Sequence, residues 1–259
     1  MNEVFGDYSL YYDLLYKDKD YSGEVNYIKE LIQCFAPKAH TIVNLGCGTG
    51  AHDVLLSRHG YLIDGVDLSK EMLSNANKKL ASSPELVSSL RFHYGDIRSV
   101  RLDKTFDVAL SLFHVMSYQS NNSDLIAALL TAKHHLNPSG IFIFDCWYGP
   151  AVLTDRPTVR VKRLEDDAIK ITRIAEPILY PDKNLVDVRY TVFIRQKKGG
   201  AVQEIHETHT MRYLFSPEIE LMLANTGFNI LTREEWVTKK PLGFDTWGAL
   251  FVCQLVPVH

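Results

Sequence analysis

The stretch Val43-Asn44-Leu45-Gly46-Cys47-Gly48-Thr49-Gly50, followed by a second apolar run ending on Asp67, limits the folds open to this chain more than any other feature. A strand over residues 41–45 feeds a glycine-rich turn, and a helix over 51–59 leaves it. The next strand, 61–66, ends on the acid. Strand, glycine turn, helix, strand and acid in that order make a βαβ unit, in which turn amides approach a ligand and the carboxylate meets a ribose diol. The spacing from Gly46 to Asp67 matches the roughly 20 residues of such units. A side chain at Gly46 or Gly48 would hold a ligand away from the main chain. The pattern predicts a nucleoside-type cofactor held by Gly46, Cys47, Gly48, Gly50 and Asp67.

The glycines alone do not choose the cofactor, because Gly46-x-Gly48-x-x-Ala51 also satisfies the dinucleotide fingerprint. Two features tilt the choice. A helical segment, residues 1–40, precedes the motif, where dinucleotide folds commonly begin with the strand itself. The third apolar run, 90–93, leads into Tyr94-Gly95-Asp96-Ile97. Asp96 there can accept from an adenine amine while Ile97 packs on the ring, so an adenosine would be held at both ends.

Apolar runs alternate with helical periodicity through the first half of the chain. Residues 21–35 carry Val25, Ile28, Leu31 and Ile32 on one face, and 70–80 is helical behind Ser69 as N-cap. Residues 106–113 read as a strand covered on both faces, 124–136 as a helix stopping at Asn137-Pro138-Ser139-Gly140, and 141–144 as the next strand. This predicts an α/β fold, a Rossmann-like parallel sheet with helices on both faces and its ligand crevice at the strands' C-terminal ends. Residues 159–164, 169–175, 186–195 and 202–213 then alternate apolar and polar residues between turn segments, with no helix between them. They predict an inserted antiparallel β-sheet. Ser216-Pro217-Glu218 opens a helix with Ser216 as N-cap, and strands over 228–236 and 247–256 complete the core. The expected organisation is a helical lid segment (1–40), a cofactor-binding core (41–150), an inserted sheet contributing to the acceptor site (151–213), and a C-terminal helix and strands (214–259).

The net charge of −3, with scattered Lys and Arg, argues against a general nucleic-acid binder. No apolar run reaches the roughly 18 residues needed to span a bilayer, and the N-terminus lacks the features of a secretory signal. Cys34, Cys47, Cys146 and Cys253 are dispersed, as in a reduced cytoplasmic protein with small buried thiols.

Leu45-Gly46-Cys47-Gly48-Thr49-Gly50, Val66-Asp67-Leu68-Ser69-x-x-Met72-Leu73, Gly95-Asp96-Ile97 and Phe106-Asp107-Val108 occur in the order of class I S-adenosylmethionine-dependent methyltransferases, which this chain resembles from residue 41 to about 145. Within that class it is similar to the N,N-dimethyltransferases of nucleotide-linked aminosugars. The resemblance lies in Tyr8-x-x-x-Tyr12-Asp13-Leu14-x-Tyr16 with Tyr21, in Ser111-Leu112-Phe113-His114-Val115-Met116-Ser117-Tyr118, and in Phe144-Asp145-Cys146-Trp147-Tyr148-x-Pro150. It implies S-adenosyl-L-methionine as cofactor, with Tyr12, Tyr21, Leu68, Met72, Leu112 and Phe113 joining the glycine turn and the two acids around it. It also implies a small-molecule acceptor, a nucleotide-linked aminosugar among the candidates, near Tyr16, Tyr118, Asp145, Trp147 and Tyr148. Asp145 and Cys146 stand where that family has Glu and Pro, and His114 where it has no histidine, so the acceptor pocket has its own chemistry.

A sulfonium methyl is electrophilic without a metal, so the protein mainly needs to hold the nucleophile in line. An amine must lose a proton, and a hydroxyl needs a base in the transition state. His114, after the fourth strand, is the candidate catalytic base, since an imidazole titrates near neutral pH. A histidine bonded to a local carbonyl is the plain alternative. His209 is a second candidate beside the acceptor; Glu207 and His209 share one face of a strand, which reads more readily as a solvated face. Tyr8, Tyr11, Tyr12, Tyr16 and Tyr21 would meet the sulfonium through their ring faces, or pack the lid onto the sheet. The loop 241–247 reads as hairpin packing near the same mouth. Asp145 would neutralise an aminosugar cation or cap a turn. An NAD-dependent oxidoreductase and a non-catalytic S-adenosylmethionine-binding protein are the competing readings. An apolar edge on the inserted sheet would also suit a homodimer.

Overall fold

The computed structural model describes residue 12 and residues 14–256; Tyr8, Tyr11 and Asp13 lie outside the described residues. Its core strands are β1 (Thr41–Leu45), β2 (Leu62–Asp67), β3 (Leu90–Tyr94), β4 (Phe106–Ser111) and β5 (Leu136–Tyr148). They pair in parallel in the order β3-β2-β1-β4-β5. The order reverses between β1 and β4, which opens a crevice at the C-terminal ends of those strands. The last two strands, β10 (Phe228–Glu235) and β11 (Gly248–Leu255), extend the sheet antiparallel beyond β5.

Strand alternation divides the core into two layers. Ile42, Val108, Leu110, Ile141 and Ile143 face one side, against Val25, Ile28, Leu31 and Ile32 of helix α1 (Tyr21–Phe35) and Leu56 of α2 (Ala51–Arg58). Val43, Leu45, Ala109, Phe142 and Phe144 face the other, against α4 (Asn122–His134) and α6 (Ser216–Thr226). Helix α3 (Lys70–Ala81) begins behind Ser69, whose hydroxyl accepts from Met72 N at 3.1 Å. Because both faces are covered, the strands read as nearly continuous apolar runs.

The inserted sheet comprises β6 (Arg160–Glu165), β7 (Ile169–Tyr180), β8 (Leu185–Gln196) and β9 (Val202–Leu214), paired antiparallel in sequence order. It is continuous with the core, because β9 runs parallel to β5 through Trp147 opposite Tyr213 and Tyr148 opposite Leu214. A short helix, α5 (Gly149–Thr154), which the sequence pattern does not announce, turns the chain from β5 toward β6.

Several boundaries differ from the pattern, each for a local reason. Strand β4 ends at Ser111, because Phe113 and His114 both adopt left-handed φ, +66° and +65°. Strand β5 starts before the expected turn at 137–140 and carries a register shift there. Helix α6 takes Phe215 as N-cap, not Ser216; the Glu218 carboxylate reaches back to Phe215 N–H at 3.4 Å. Cys34 is exposed, whereas Cys47, Cys146 and Cys253 are buried as expected.

Candidate active site

A cavity of about 540 Å³ opens at the C-terminal ends of β1, β2 and β4, within the size range of small-molecule sites. Of the residues the sequence nominates for the cofactor, Tyr12, Tyr21, Gly46, Cys47, Gly48, Asp67, Leu68, Met72, Asp96, Ile97, Leu112 and Phe113 line it. Asp67 and Asp96 therefore face one space. Of the nominated acceptor and catalytic residues, Tyr16, Tyr118, Trp147, His209 and His114 line the same cavity.

The glycine turn works differently from the sequence expectation. The Gly46 and Cys47 amides donate to Val66 O at 2.8 and 2.9 Å, Gly48 N–H donates to Asp67 Oδ2 at 2.8 Å, and Gly50 N–H donates to Cys47 O at 3.0 Å. These amides tie the turn to β2 and to itself. Gly46 is at φ +89°, where an added Cβ would come within 2.6 Å of Val115. Gly48, at φ +56°, has no atom of the described residues beyond its chain neighbours within 4 Å of such a Cβ, so it is the glycine of the turn that leaves room for a ligand. Gly50 does not line the cavity; it occupies the left-handed N-cap of α2, packed under Phe92.

Asp67 accepts from Gly48 N–H and Ser69 N–H, each at 2.8 Å. Burial raises its pKa, and those backbone bonds oppose the rise. A carboxylate has about four acceptor positions, so capacity for a diol remains. Asp96 is gripped by Arg98, whose Nε donates to both carboxylate oxygens at 2.9 and 3.0 Å and whose Nη1 reaches Asp124 at 2.9 Å. The Arg98 hydrogen bonds hold Asp96 below the ordinary carboxylate range. The sequence reading missed Arg98 and Asp124, both of which line the cavity. An acid at one end, an acid beside buried Ile97 at the other, and open space over Gly48 suit an adenosine.

Past β4 the left-handed pair at Phe113 and His114 carries His114 to the cavity wall. Such conformations cost non-glycine residues about 1 kcal/mol or more each and persist where neighbours fix them. Asp145, on the adjacent strand β5, supplies the fixing contacts: it accepts His114 N–H at 3.0 Å, and its Oδ2 lies 2.6 Å from His114 Nδ1. Asp145 is 1% exposed and does not line the cavity, so it faces His114 and not an acceptor. Tyr148 also lies off the cavity. Neighbouring strand residues face opposite ways, which sends Tyr148 toward the helical layer with its hydroxyl 3.2 Å from Ser216 Oγ.

The described tyrosines of the N-terminal segment pack as rings. Tyr12 and Tyr16 lie 4.7 Å apart, Tyr16 meets Phe113 edge-on at 5.0 Å, and Tyr21 meets His52 edge-on at 5.0 Å. Glu24 joins three elements beneath them, through Lys19 Nζ at 2.9 Å, His52 Nε2 at 2.7 Å and Trp236 Nε1 at 3.3 Å. Burial pulls the Glu24 carboxyl upward, but the His52 and Lys19 contacts outweigh it and leave its pKa lowered.

His209 contradicts the solvated-face expectation, being 3% exposed. Its Nδ1 lies 2.8 Å from Tyr118 Oη and its Nε2 3.4 Å from Glu207. The Tyr190 ring stands edge-on to it at 5.0 Å. A hairpin closed by the turn at 197–200 without a bulge puts Tyr190 opposite Glu207, a signal the sequence carried and the reading did not use.

A second cavity, of about 580 Å³, adjoins the first and shares His114, Trp147 and Tyr190 with it. Its wall includes Arg160, Lys162 and Arg173 and, among the described residues, no acid. Trp247 lines it too, 5.9 Å edge-on from Trp147, so loop 241–247 contributes more than hairpin packing.

Residues 42–140 match a family model described as "Methyltransferase domain". Over 226 residues the chain is 26% identical to the dTDP-3-amino-3,4,6-trideoxy-alpha-D-glucopyranose N,N-dimethyltransferase of Streptomyces venezuelae, covering 86% of this chain and 91% of that one. An S-adenosylmethionine-dependent methyltransferase from Clostridium acetobutylicum superposes with a TM-score of 0.82 at 24% identity, covering 96% of this chain and 97% of that one. Streptomyces venezuelae DesVI does so with a TM-score of 0.79 at 23% identity, covering 97% and 99%. The two structural likenesses show the fold. Together with the domain match and the curated relative, they make this chain an S-adenosylmethionine-dependent methyltransferase of the class I fold, and the oxidoreductase and non-catalytic readings fall away. Within the class, it resembles the aminosugar N,N-dimethyltransferases.

Proposed function

We propose that this enzyme methylates an amine on a small, phosphate-bearing acceptor, a nucleotide-linked aminosugar being the class that fits. One observation carries the reading: the cofactor cavity and a cation-lined second cavity meet at His114, Trp147 and Tyr190. An acceptor with an anionic tail among Arg160, Lys162 and Arg173 would present its amine at that junction. Arginine forks suit phosphate oxygens. The curated relative's name specifies a dTDP-linked 3-amino sugar, which has this division into anionic and amine-bearing ends.

In this reading Asp67 holds the ribose, Asp96 and Ile97 the adenine, and Gly48 admits the ligand to the main chain. S-adenosylmethionine, when bound, supplies an electrophilic sulfonium methyl. The protein's own work is to position the acceptor nitrogen, exclude water and take a proton. His114 is the proton acceptor at the junction, oriented through both its backbone and its ring by Asp145. Tyr12, Tyr16 and Tyr21 of the segment before residue 41 cover the cofactor cavity, and residues 151–213 supply the acceptor wall. Strands β10 and β11 complete the sheet beside Asp145.

The test compares methyl transfer to dTDP-3-amino-3,4,6-trideoxyglucose with transfer to the same sugar lacking the nucleotide, read as S-adenosylhomocysteine and N-methyl product by mass spectrometry. Turnover restricted to the nucleotide-linked amine, with KM raised about tenfold or more by Arg160→Ala or Arg173→Ala, is expected; losing one charged hydrogen bond of 1.5–3 kcal/mol gives that size. Equal turnover of both sugars, or none of either, refutes the acceptor assignment.

A further inference from the structure

Both Tyr118 and His209 line the cofactor cavity, and behind them the inserted sheet holds an acid. Tyr118 Oη is 2.8 Å from His209 Nδ1, and His209 Nε2 is 3.4 Å from Glu207 Oε2. The Glu207 side chain is 6% exposed. Glu207 and His209 are two residues apart on β9, so the pleat puts both on one face. We propose that Tyr118, His209 and Glu207 form a proton relay, which takes a proton from the acceptor nitrogen and passes it into the inserted sheet. The proposal rests on the amine-methylation reading above and adds a second proton station, across from the His114–Asp145 pair.

The contacts assign the direction. Glu207 as a carboxylate only accepts, so His209 Nε2 carries the hydrogen and Nδ1 presents its lone pair to the Tyr118 hydroxyl. As the acceptor N–H bond breaks, its proton moves to Tyr118 Oη. The Tyr118 O–H proton moves to His209 Nδ1, and the imidazolium so formed is balanced by Glu207. The nitrogen keeps its electron pair for the methyl group, nothing is oxidised or reduced, and the relay resets when the extra proton reaches water after product leaves. Burial holds the Tyr118 phenol well above its ordinary pKa, so it hands protons on and does not rest as a phenolate.

The surroundings supply further charge. Tyr190 on β8 stands edge-on to His209, and the Arg173 guanidinium on β7 lies 4.7 Å from the Tyr190 ring centre. From the N-terminal side, Tyr12 and Tyr16 act electrostatically on Tyr118. In this arrangement Tyr118 and His209 are catalytic residues and Glu207 is a positioning residue.

Two measurements test the relay. In the full chain with S-adenosylhomocysteine bound, ring-nitrogen NMR should find His209 as the Nε2–H tautomer, and Tyr118→Phe should change its Nδ1 signal; an Nδ1–H tautomer overturns the relay. In kinetics with dTDP-3-amino-3,4,6-trideoxyglucose, His209→Gln keeps an acceptor for the Tyr118 hydroxyl but no titratable nitrogen. It should lower kcat on the order of 100-fold, the lower end for a lost general base. The acceptor KM and S-adenosylhomocysteine affinity should stay within about threefold, with the acid limb of the kcat–pH profile changed from that of the wild type to the one His114 alone supplies. Wild-type kcat and pH profile in His209→Gln overturn the relay, since a purely structural histidine would give that result. If the wild-type chain binds S-adenosylhomocysteine yet methylates no amine, the acceptor reading fails, and the tautomer alone decides the relay.

Discussion

Asp53 offers the sharpest test of the physical account. It sits on α2 beneath the glycine turn, fully buried, with Oδ1 accepting from Asn44 Nδ2 at 2.7 Å and Oδ2 without a hydrogen-bond partner among the described residues. Burial pushes its pKa from the ordinary 3.8 to about 7, with the Asn44 bond opposing and the nearby Asp67 adding to the rise. A carboxyl whose pKa is raised by folding binds its proton more tightly in the native state. Between pH 3.8 and about 7 folding therefore takes up a proton, and native stability falls as pH rises through that window. Above pH 7 both states are ionised and the full cost is present. At 1.36 kcal/mol per pH unit, the interval from 3.8 to about 7 amounts to about 4 kcal/mol. Asp53→Asn is neutral at every pH, so its stability relative to wild type should increase by about that amount from pH 4 to pH 7.5 and then level off. Whatever the amide costs by leaving its NH2 unpaired shifts the difference curve without bending it. Urea unfolding of both proteins at half-unit steps from pH 4 to 8.5 gives the curve directly. A difference that stays flat within about 0.5 kcal/mol, the scale of a neutral surface substitution, refutes the reasoning.

Asp67→Ala removes a buried polar partner and should weaken S-adenosylhomocysteine binding by about 1–3 kcal/mol in calorimetry; unchanged affinity contradicts its ribose role. Gly46→Ala and Gly48→Ala should separate folding from binding. The first forces a Cβ within 2.6 Å of Val115 and should lower Tm by about 5 °C, from overpacking of about 2 kcal/mol. The second meets no atom of the described residues beyond its chain neighbours and should keep Tm within about 3 °C, the cost of one strained residue, while S-adenosylhomocysteine affinity falls. Tyr148→Phe loses only a hydroxyl facing Ser216, so kcat should stay within about twofold of wild type, as for a change away from the site; a larger drop would place Tyr148 at the acceptor after all.

Period and punctuation made most of the architecture legible. The runs at 41–45 and 106–111 are apolar because both faces are covered, and the alternation after residue 159 marks the antiparallel insertion. The glycine turn and both acids could be read because their roles depend on order and spacing along the chain. What escaped depends on contacts between strands. Asp145 reads as an acceptor partner until β5 is set beside β4, whose left-handed turn brings His114 onto it. Tyr148 follows Trp147 by one residue, and the pleat sends them to different layers. Arg98 stands two residues from Asp96, yet only the folded turn reveals that it takes up both oxygens of the acid. The turn amides looked free for a ligand because no linear pattern shows that Val66 O lies within reach of two of them.

The ladder between β5 and β9, only Trp147–Tyr213 and Tyr148–Leu214 long, ties the strand that carries Asp145 to an inserted sheet whose residues line both cavities. The insertion is thereby anchored in the same strand that carries Asp145, so a domain-scale swing of the inserted sheet would strain the seat of His114. On the acceptor assignment proposed above, new preferences are more readily reached by exchanging side chains on β6 and β7 than by re-hinging the module.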